Sequence, residues 1–116
     1  MTLKINGTTI STQPSEHGWV SRNPLGVNGL GHSIYPATRE YELLWDIIDA
    51  TTYNQLQAFY TACDPTGTVV VTLPQFANSS YTSVDYSGCI LREPQYGGYF
   101  EQHYQDVILL IVNVRT

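Results

Sequence analysis

Residues 40–71 read EYELLWDIIDATTYNQLQAFYTACDPTGTVVV. Within the first nine of them, every second side chain from Tyr41 to Ile47 is apolar, and most of the side chains between them are acidic. An alternation with period two predicts a β-strand with one well-buried face. The side chains assigned to the buried face are Tyr41, Leu43, Trp45 and Ile47. The opposite face carries the acidic Glu40, Glu42 and Asp46 together with Leu44 and Ile48.

A short helix is predicted after this strand. Residues 49–52 offer short polar side chains that can accept hydrogen bonds from free amides, and Thr52 with Gln55 has the spacing of a capping box. Residues 64–67, Asp-Pro-Thr-Gly, should end the helix because proline cannot continue its hydrogen bonds. Residues 68–73 then predict a β-branched strand. The apolar stripe of the helix recurs at three- and four-residue steps, at Tyr53, Leu56, Phe59, Tyr60 and Cys63.

Further strands are predicted on both sides of this unit. Asn6-Gly7 separates two short β-rich runs and is the dipeptide best suited to a two-residue hairpin turn. Residues 81–91 alternate, with Tyr86 and Ile90 on one face and Cys89 on the other. Residues 99–114 predict one long strand that is apolar on both faces, as expected in the middle of a sheet. On its two faces lie Val107, Leu109 and Ile111, and Ile108, Leu110, Val112 and Val114.

Length and charge narrow the class of protein. The chain has 116 residues, enough for a single domain spanning residues 1–116. Its formal net charge of -5 gives no cationic face for nucleic-acid phosphates or anionic lipids. The start of the chain lacks the features of a signal peptide, and the apolar run at residues 107–112 is too short to span a bilayer, so we expect a cytosolic site of synthesis. Cys63 and Cys89 are then expected to be reduced, buried thiols.

Residues 11–38 are predicted to form a long loop with unusual composition. Glycine and proline recur throughout it, yet it keeps large apolar side chains that something must cover. Either the loop folds back on its own sheet, or a neighbouring subunit covers it as an inter-subunit arm. The candidate interface residues are Trp19, Val20, Leu25, Val27, Leu30 and Ile34.

The sequence predicts no catalytic, cofactor or metal site. His17, His32 and His103 would have to meet Cys63 or Cys89, and neither cysteine lies on the exposed turn that a nucleophile needs. None of these five residues has the close spacing of zinc ligands. The carboxylates of Asp46 and Asp49 straddle a strand-to-helix junction, where Asp49 is better explained as a helix cap. The glycines of residues 26–31 precede a strand and lack the lysine of a phosphate-binding loop.

Two other functions stay open from the residues. Aromatic rings with polar tips suit sugar stacking as well as protein interfaces, so a carbohydrate-binding β-sandwich is an alternative. A small hydrolase would need an accessible Cys63 or a histidine site. The tyrosines that raise the first possibility are Tyr81, Tyr86, Tyr96, Tyr99 and Tyr104.

The order of these elements resembles the small minor tail proteins of long, non-contractile-tailed bacteriophages. It is also similar to the N-terminal domain of their distal tail proteins, although their second, C-terminal domain is absent from this sequence. The resemblance covers nearly the whole chain and lies in pattern more than in one motif. The residues that carry it are Arg22, residues 26–29, residues 39–45, the helix at residues 53–60, Gly67 before Val69-Val70-Val71, and residues 86–114.

This resemblance implies an α+β, mainly β fold: an antiparallel β-sandwich or barrel-like sheet with one short helix packed on it, as in tail-tube proteins. It implies a structural virion protein with no enzymatic activity and no cofactor, which forms a homohexameric ring in the tail tip, baseplate or tube. Its partners would be further copies of itself and adjacent tail proteins, with DNA as passing cargo and no membrane. It would be assembled in the host cytoplasm and reside in the virion tail. A head-to-tail joining or tail-terminator ring is the alternative within this class.

A ring of this kind needs a lumen that does not retain DNA. The negative net charge suits this requirement because a negative inner wall repels phosphates and lets a duplex slide. The candidate residues for the lumen wall are Glu40, Glu42 and Asp46 on the polar face of their strand.

Overall fold

The computed structural model describes residues 3–63, 67–77 and 82–115. These residues form ten strands and one helix, α1 (Ala50–Thr61), around one cluster of buried apolar side chains. The strands are β1 (Lys4–Ile5), β2 (Thr8–Thr9), β3 (Glu16–Val20), β4 (Gly26–Val27), β5 (Ser33–Ile34), β6 (Arg39–Asp49), β7 (Val69–Pro74), β8 (Ser83–Leu91), β9 (Gly98–Phe100) and β10 (His103–Val114).

Eight of these strands form one antiparallel sheet. Its order is β2-β1-β7-β8-β10-β6-β3, and β9 pairs with β10 beside this path. Strand β10 lies in the middle, between β8 and β6, as its two apolar faces predicted. The predicted class, mainly β and antiparallel with one short helix, is confirmed. Among the described residues the sheet stays open, with β2 and β3 at its edges, so it is not a closed barrel.

The sheet curls strongly although it is open. The indole of Trp19 on edge strand β3 lies edge-to-face against Tyr86 on β8, three strands away in the sheet order, with ring centroids 5.6 Å apart. Tyr41 and Phe76 meet the same indole edge-to-face at 4.9 and 5.3 Å. The guanidinium of Arg39 lies 3.6 Å from the Phe76 ring centroid, a cation–π contact. These aromatic contacts hold the two parts of the curled sheet together.

Helix α1 has Asp49 as its N-cap, as predicted, and the Asp49 side chain accepts a hydrogen bond of 2.9 Å from the Thr52 amide. The capping box at Thr52 and Gln55 is therefore wrong, because Thr52 already lies inside the helix. Gln55 instead accepts a bond of 2.8 Å from the Ser11 amide. Leu56 is fully buried, in agreement with the predicted stripe, whereas the predicted helix end at residues 64–66 lies outside the described residues.

The N-terminal hairpin is confirmed. Asn6 and Gly7 have φ values of 53° and 76°, the positive angles that a two-residue hairpin turn between β1 and β2 requires. Strand β1 also pairs with β7, and the Asn6 side chain accepts a hydrogen bond of 2.9 Å from the Val70 amide. The hairpin is thereby attached to the main sheet.

The predicted faces of β6 are wrong beyond Trp45. Ile47 is 53% exposed and Ile48 is buried, the reverse of the prediction. The reversal coincides with Asp106, which has a φ of 54° and lies between the register pairs Val107–Trp45 and Gln105–Ile47. Both strands change phase at this point, so that Ile48 and its partner Tyr104 turn back to the core.

Two other positive-φ residues reverse predicted faces in the same way. Asn113 (φ 62°) lies where the register shifts between Ile111 and Val114, and Val114 is buried rather than on the outward face. Gly88 (φ 71°) precedes Cys89, so that Tyr86 and Cys89 are both buried although the alternation placed them on opposite faces. Each reversal occurs at a local break in the ladder, as at a β-bulge.

The prediction of one long loop at residues 11–38 is wrong for its first part. Residues 16–20 form β3, which pairs along its whole length with β6. Before it, the Thr12 carbonyl accepts a hydrogen bond of 2.8 Å from the Trp45 indole. This part of the segment folds back on its own sheet, and Trp19 needs no partner to cover it.

The predicted single strand at residues 99–114 is also wrong, because it contains a hairpin. Strand β9 ends at Phe100, and the chain reverses at Glu101 and Gln102, both with positive φ. Strand β10 then pairs antiparallel with β9. Gln95 adds an isolated bridge to Ile108 on β10. The sequence lacks a glycine or asparagine at the turn itself, which is why the turn was not predicted.

Candidate functional site

Residues 23–35, here called the arm, form a hairpin apart from the main sheet. Its strands β4 and β5 pair only with each other. Asn28 organises the turn: its side-chain oxygen accepts hydrogen bonds of 2.9 and 3.1 Å from the amides of Leu30 and His32. Gly31, with a φ of 85°, supplies the left-handed conformation that the turn needs. The arm therefore has a defined local structure.

The described chain leaves most of the arm uncovered. Every residue from 23 to 35 is exposed. A stretch of large apolar side chains held in water raises the free energy of the isolated molecule, and such patches mark interaction sites. The apolar side chains and their exposed fractions are Leu25 at 74%, Val27 at 66%, Leu30 at 85%, Ile34 at 46% and Tyr35 at 48%.

A clip of polar contacts fixes the base of the arm. The Arg22 guanidinium donates a hydrogen bond to the Pro36 carbonyl and lies 5.1 Å from the Tyr35 ring centroid. A cavity of about 310 Å³ opens beside this clip, between Val20 and Glu40. Because Arg22 joins the two limbs at their base, the arm leaves the sheet in a defined direction.

The arm contributes to an elongated molecule. The chain measures 56 × 29 × 28 Å, and its radius of gyration is 15.5 Å. A compact domain of this length has a radius of gyration of about 13 Å. The excess is consistent with a segment that projects from the body.

The sheet presents a second exposed surface, here called the outward face. Residues of neighbouring strands that pair in register share a face, which places Glu16 beside Leu44 and Ile108, and Glu42 beside Leu110. The predicted lumen-wall residues Glu40 and Asp46 are exposed and Glu42 is half-buried. Ile108 is 41% exposed. The outward face therefore combines carboxylates with apolar side chains.

A groove of about 290 Å³ lies at one end of the outward face. Its floor is apolar and its rim carries three carboxylates. The Ser15 hydroxyl on the rim accepts a hydrogen bond of 3.2 Å from the Asp46 amide. Its apolar side chains, here called the floor, are Leu44 and Ile108, and its acidic side chains, here called the rim, are Glu16, Asp46 and Asp106. Trp45 and Val107 also line the groove, but their side chains are buried in the core.

A cluster of tyrosines forms the third notable feature. Tyr53 on α1 stacks on Tyr104 of β10 at 4.0 Å with an interplanar angle of 14°. Tyr96 and Tyr99 pack against Tyr104, both with ring centroids 4.9 Å away, and are 51% and 57% exposed. Of the other tyrosines grouped with them from sequence, Tyr86 is buried in the core and Tyr81 lies outside the described residues.

The cysteines are placed unlike nucleophiles. Cys63 and Cys89 are free and buried. Burial, and to a lesser degree the neighbouring Cys63, raises the pKa of the Cys89 thiol to about 11. A thiol with so high a pKa is almost fully protonated near pH 7 and reacts poorly.

The three histidines lie in separate elements. His17 on β3 is hydrogen-bonded to the Tyr41 hydroxyl, and burial lowers its pKa. His32 lies on the arm and His103 at the start of β10. In the described part of the chain, no hydrogen bond joins a histidine to either cysteine, and no group of three or more His, Cys, Asp or Glu side chains is arranged to hold a metal ion.

Within residues 3–63, 67–77 and 82–115, no helix has the length and apolar character needed to cross a bilayer. Comparison with protein-family models, with curated proteins and with solved structures finds no match to this chain.

Proposed function

We propose that this chain is a structural subunit of a ring in the tail of a long-tailed bacteriophage, without enzymatic activity. The resemblance in element order suggests a tail-tip, baseplate or tube-like component and a hexamer. Copies of the chain would close the ring, adjacent tail proteins would lie above and below it, and DNA would pass through it. A tail-terminator or head-to-tail joining ring would use the same surfaces at the other end of the tube.

The exposed arm is the observation that carries this proposal. A hairpin with Leu30 85% exposed and Leu25 74% exposed gains stability when a partner covers it, and copies of one chain provide the same partner surface in every subunit. The short edge strand β3 offers a further place for contact because its outer edge is unpaired among the described strands. Buried thiols and separated histidines are consistent with a protein that performs no catalysis.

The test is the mass of the purified full chain in solution, measured by light scattering over a range of concentrations. Rings with an open centre should be visible by negative-stain electron microscopy, and the mass should be a whole multiple of 13.0 kDa. A chain that stays monomeric at every concentration, alone and with other tail components, would refute the proposal.

The tyrosine cluster favours one function of another class, carbohydrate binding. Tyr96 and Tyr99 expose about half of their surface and could stack on sugar rings. A glycan array tests this alternative directly. Binding that is lost in Tyr96→Ala and Tyr99→Ala, by a chain that remains monomeric, would replace the ring proposal.

A further inference from the structure

We propose that the tip of the arm, residues 27–32, docks into the acid-rimmed groove of a second copy of this chain. The inference rests on the proposed function, which supplies the association between copies, and it names the surface that receives the arm. It also assigns Asp46, a candidate for the lumen wall, to the contact between subunits.

The polarity of the groove lining complements an apolar side chain flanked by hydrogen-bond donors. Leu44 and Ile108 on its floor provide an apolar surface, and Ile108 is 41% exposed in the single chain. The carboxylates of Glu16, Asp46 and Asp106 on its rim can only accept hydrogen bonds when ionised. A docking segment that carries acidic side chains would be repelled by this rim.

The tip of the arm has the complementary chemistry. Leu30 is its most exposed apolar side chain, at 85%. The side-chain amide of Asn28 and the imidazole N–H of His32 are donors on either side of it. Residues 17–39 contain no aspartate or glutamate, although the whole chain has ten acidic residues. A donor-bearing tip with an apolar centre therefore fits an acceptor-bearing rim with an apolar floor.

In its own chain the arm does not occupy the groove, so the arm that docks there belongs to another copy. The cavity at the base is lined by Glu40, whereas the groove is lined by Asp46 on the same strand. Six residues of an extended strand separate these positions by about 20 Å. The arm in its own chain is exposed throughout and leaves the groove open. Docking of this kind is head-to-tail, and repeated around an axis it generates a ring.

Two variants each remove one half of the contact. Leu30→Glu places a charge at the tip, and Ile108→Glu places one on the groove floor. Both positions are exposed in the single chain, so each variant should fold, which thermal unfolding would verify. Asp46→Lys is a second groove variant, for use if Ile108→Glu fails to fold. The matched control is Val70→Glu on β7, which is 38% exposed and does not line the groove.

Each variant alone should be monomeric under conditions in which the unchanged chain and Val70→Glu form rings. Mixed together, the Leu30→Glu and Ile108→Glu chains retain one intact arm and one intact groove between them. They should form a 1:1 dimer and nothing larger, with a mass that light scattering resolves.

Other results would overturn the docking site. If both variants still form rings, or if their mixture stays monomeric, the arm does not bind this groove, while the ring itself would stand. If the unchanged chain is monomeric at every concentration, the proposed function fails together with the docking site.

Discussion

Gly67 lies where no side chain can be accommodated. A Cβ atom at this position would be 2.0 Å from the carbonyl oxygen of Ala62 and 3.1 Å from its carbonyl carbon, and both are backbone atoms that cannot rotate away. The chain therefore passes against the end of α1 at a distance that only glycine permits.

We expect Gly67→Ala to lower the free energy of unfolding by about 1–3 kcal/mol, the usual cost of inserting an extra carbon into a tight contact. Urea denaturation followed by circular dichroism would measure it. The matched control is Gly29→Ala on the arm, where a Cβ would meet nothing within 4 Å, and it should change stability by less than about 0.5 kcal/mol. Equal stability of both variants would contradict the contact at Gly67.

The contribution of the Asp49 cap to the stability of α1 depends on pH. Hydrogen bonds from the Thr52 backbone and side chain lower the pKa of this carboxyl below its ordinary value of 3.8. A carboxylate whose pKa is lowered on folding contributes stability above its unfolded pKa, and this contribution is lost as pH falls through the folded pKa. The cap should therefore stabilise the helix at neutral pH and fail in acid.

Asp49→Ala should lower the melting temperature near pH 7, and the difference from the unchanged chain should shrink below about pH 4. Asp49→Asn keeps a capping side chain without the charge, so it should retain most of the stability near pH 7 and show less pH dependence. Thermal unfolding over a pH series measures both. A constant difference between Asp49→Ala and the unchanged chain across the series would show that the carboxylate charge is unimportant.

Single residues also explain where sequence patterns fail. The alternation of β6 and β10 was predicted correctly from Tyr41 to Trp45 and from Val107 to Ile111 because each residue there continues a regular ladder. It failed next to Asp106 and Asn113, two positive-φ positions at which the buried face changes. Aspartate and asparagine adopt such angles more readily than most residues, but most aspartates do not, so sequence alone does not reveal which ones will.

At the scale of elements, Tyr53 connects α1 to the strand layer. Its hydroxyl donates a hydrogen bond of 3.1 Å to the Pro94 carbonyl and accepts one of 3.1 Å from the Gln57 side chain. Burial raises the pKa of Tyr53, which keeps this hydroxyl protonated as a donor. Its ring is stacked on Tyr104 of β10.

Tyr53→Phe keeps the stacked ring and removes the donor to Pro94, so the free energy of unfolding should fall by about 0.5–1.5 kcal/mol. The matched control is Tyr60→Phe on the same helix, whose hydroxyl makes no hydrogen bond in the described part of the chain, and it should have little effect. Chemical denaturation of both variants gives the comparison. A larger loss for Tyr60→Phe than for Tyr53→Phe would show that the Pro94 bond is not what fixes the helix.

Strand β3 is an element that the local sequence does not specify, in contrast to the arm. His17 and Trp19 face the core with period two, but Gly18 lies between them and prolines flank the strand at positions 14 and 24, so the local sequence favours a loop. Pairing with β6 supplies the hydrogen bonds that these residues could not specify locally. The arm was foreseeable because apolar side chains among glycines signal a surface that needs covering. The groove was not foreseeable, since it joins β3, β6 and β10 across long sequence separations.

At the scale of the whole molecule, the outward face has two ends with different proposed tasks. Asp46 rims the groove that would receive the arm, whereas Glu40 and Glu42 lie farther along β6. If these two line a lumen, their charge acts on passing DNA and not on assembly. A ring brings several copies of each together, which multiplies their effect on a polyanion.

The double variant Glu40→Lys/Glu42→Lys should therefore assemble like the unchanged chain but retain duplex DNA. Fluorescence anisotropy with a labelled duplex should detect this binding, and the affinity should fall steeply with salt because phosphate contacts release counterions. The control carries Leu30→Glu as well, so that the same lysines are presented by a monomer, which should bind DNA much more weakly. Loss of assembly in the double variant would place Glu40 and Glu42 in the subunit contact, and equal DNA binding by ring and monomer would remove them from the lumen wall.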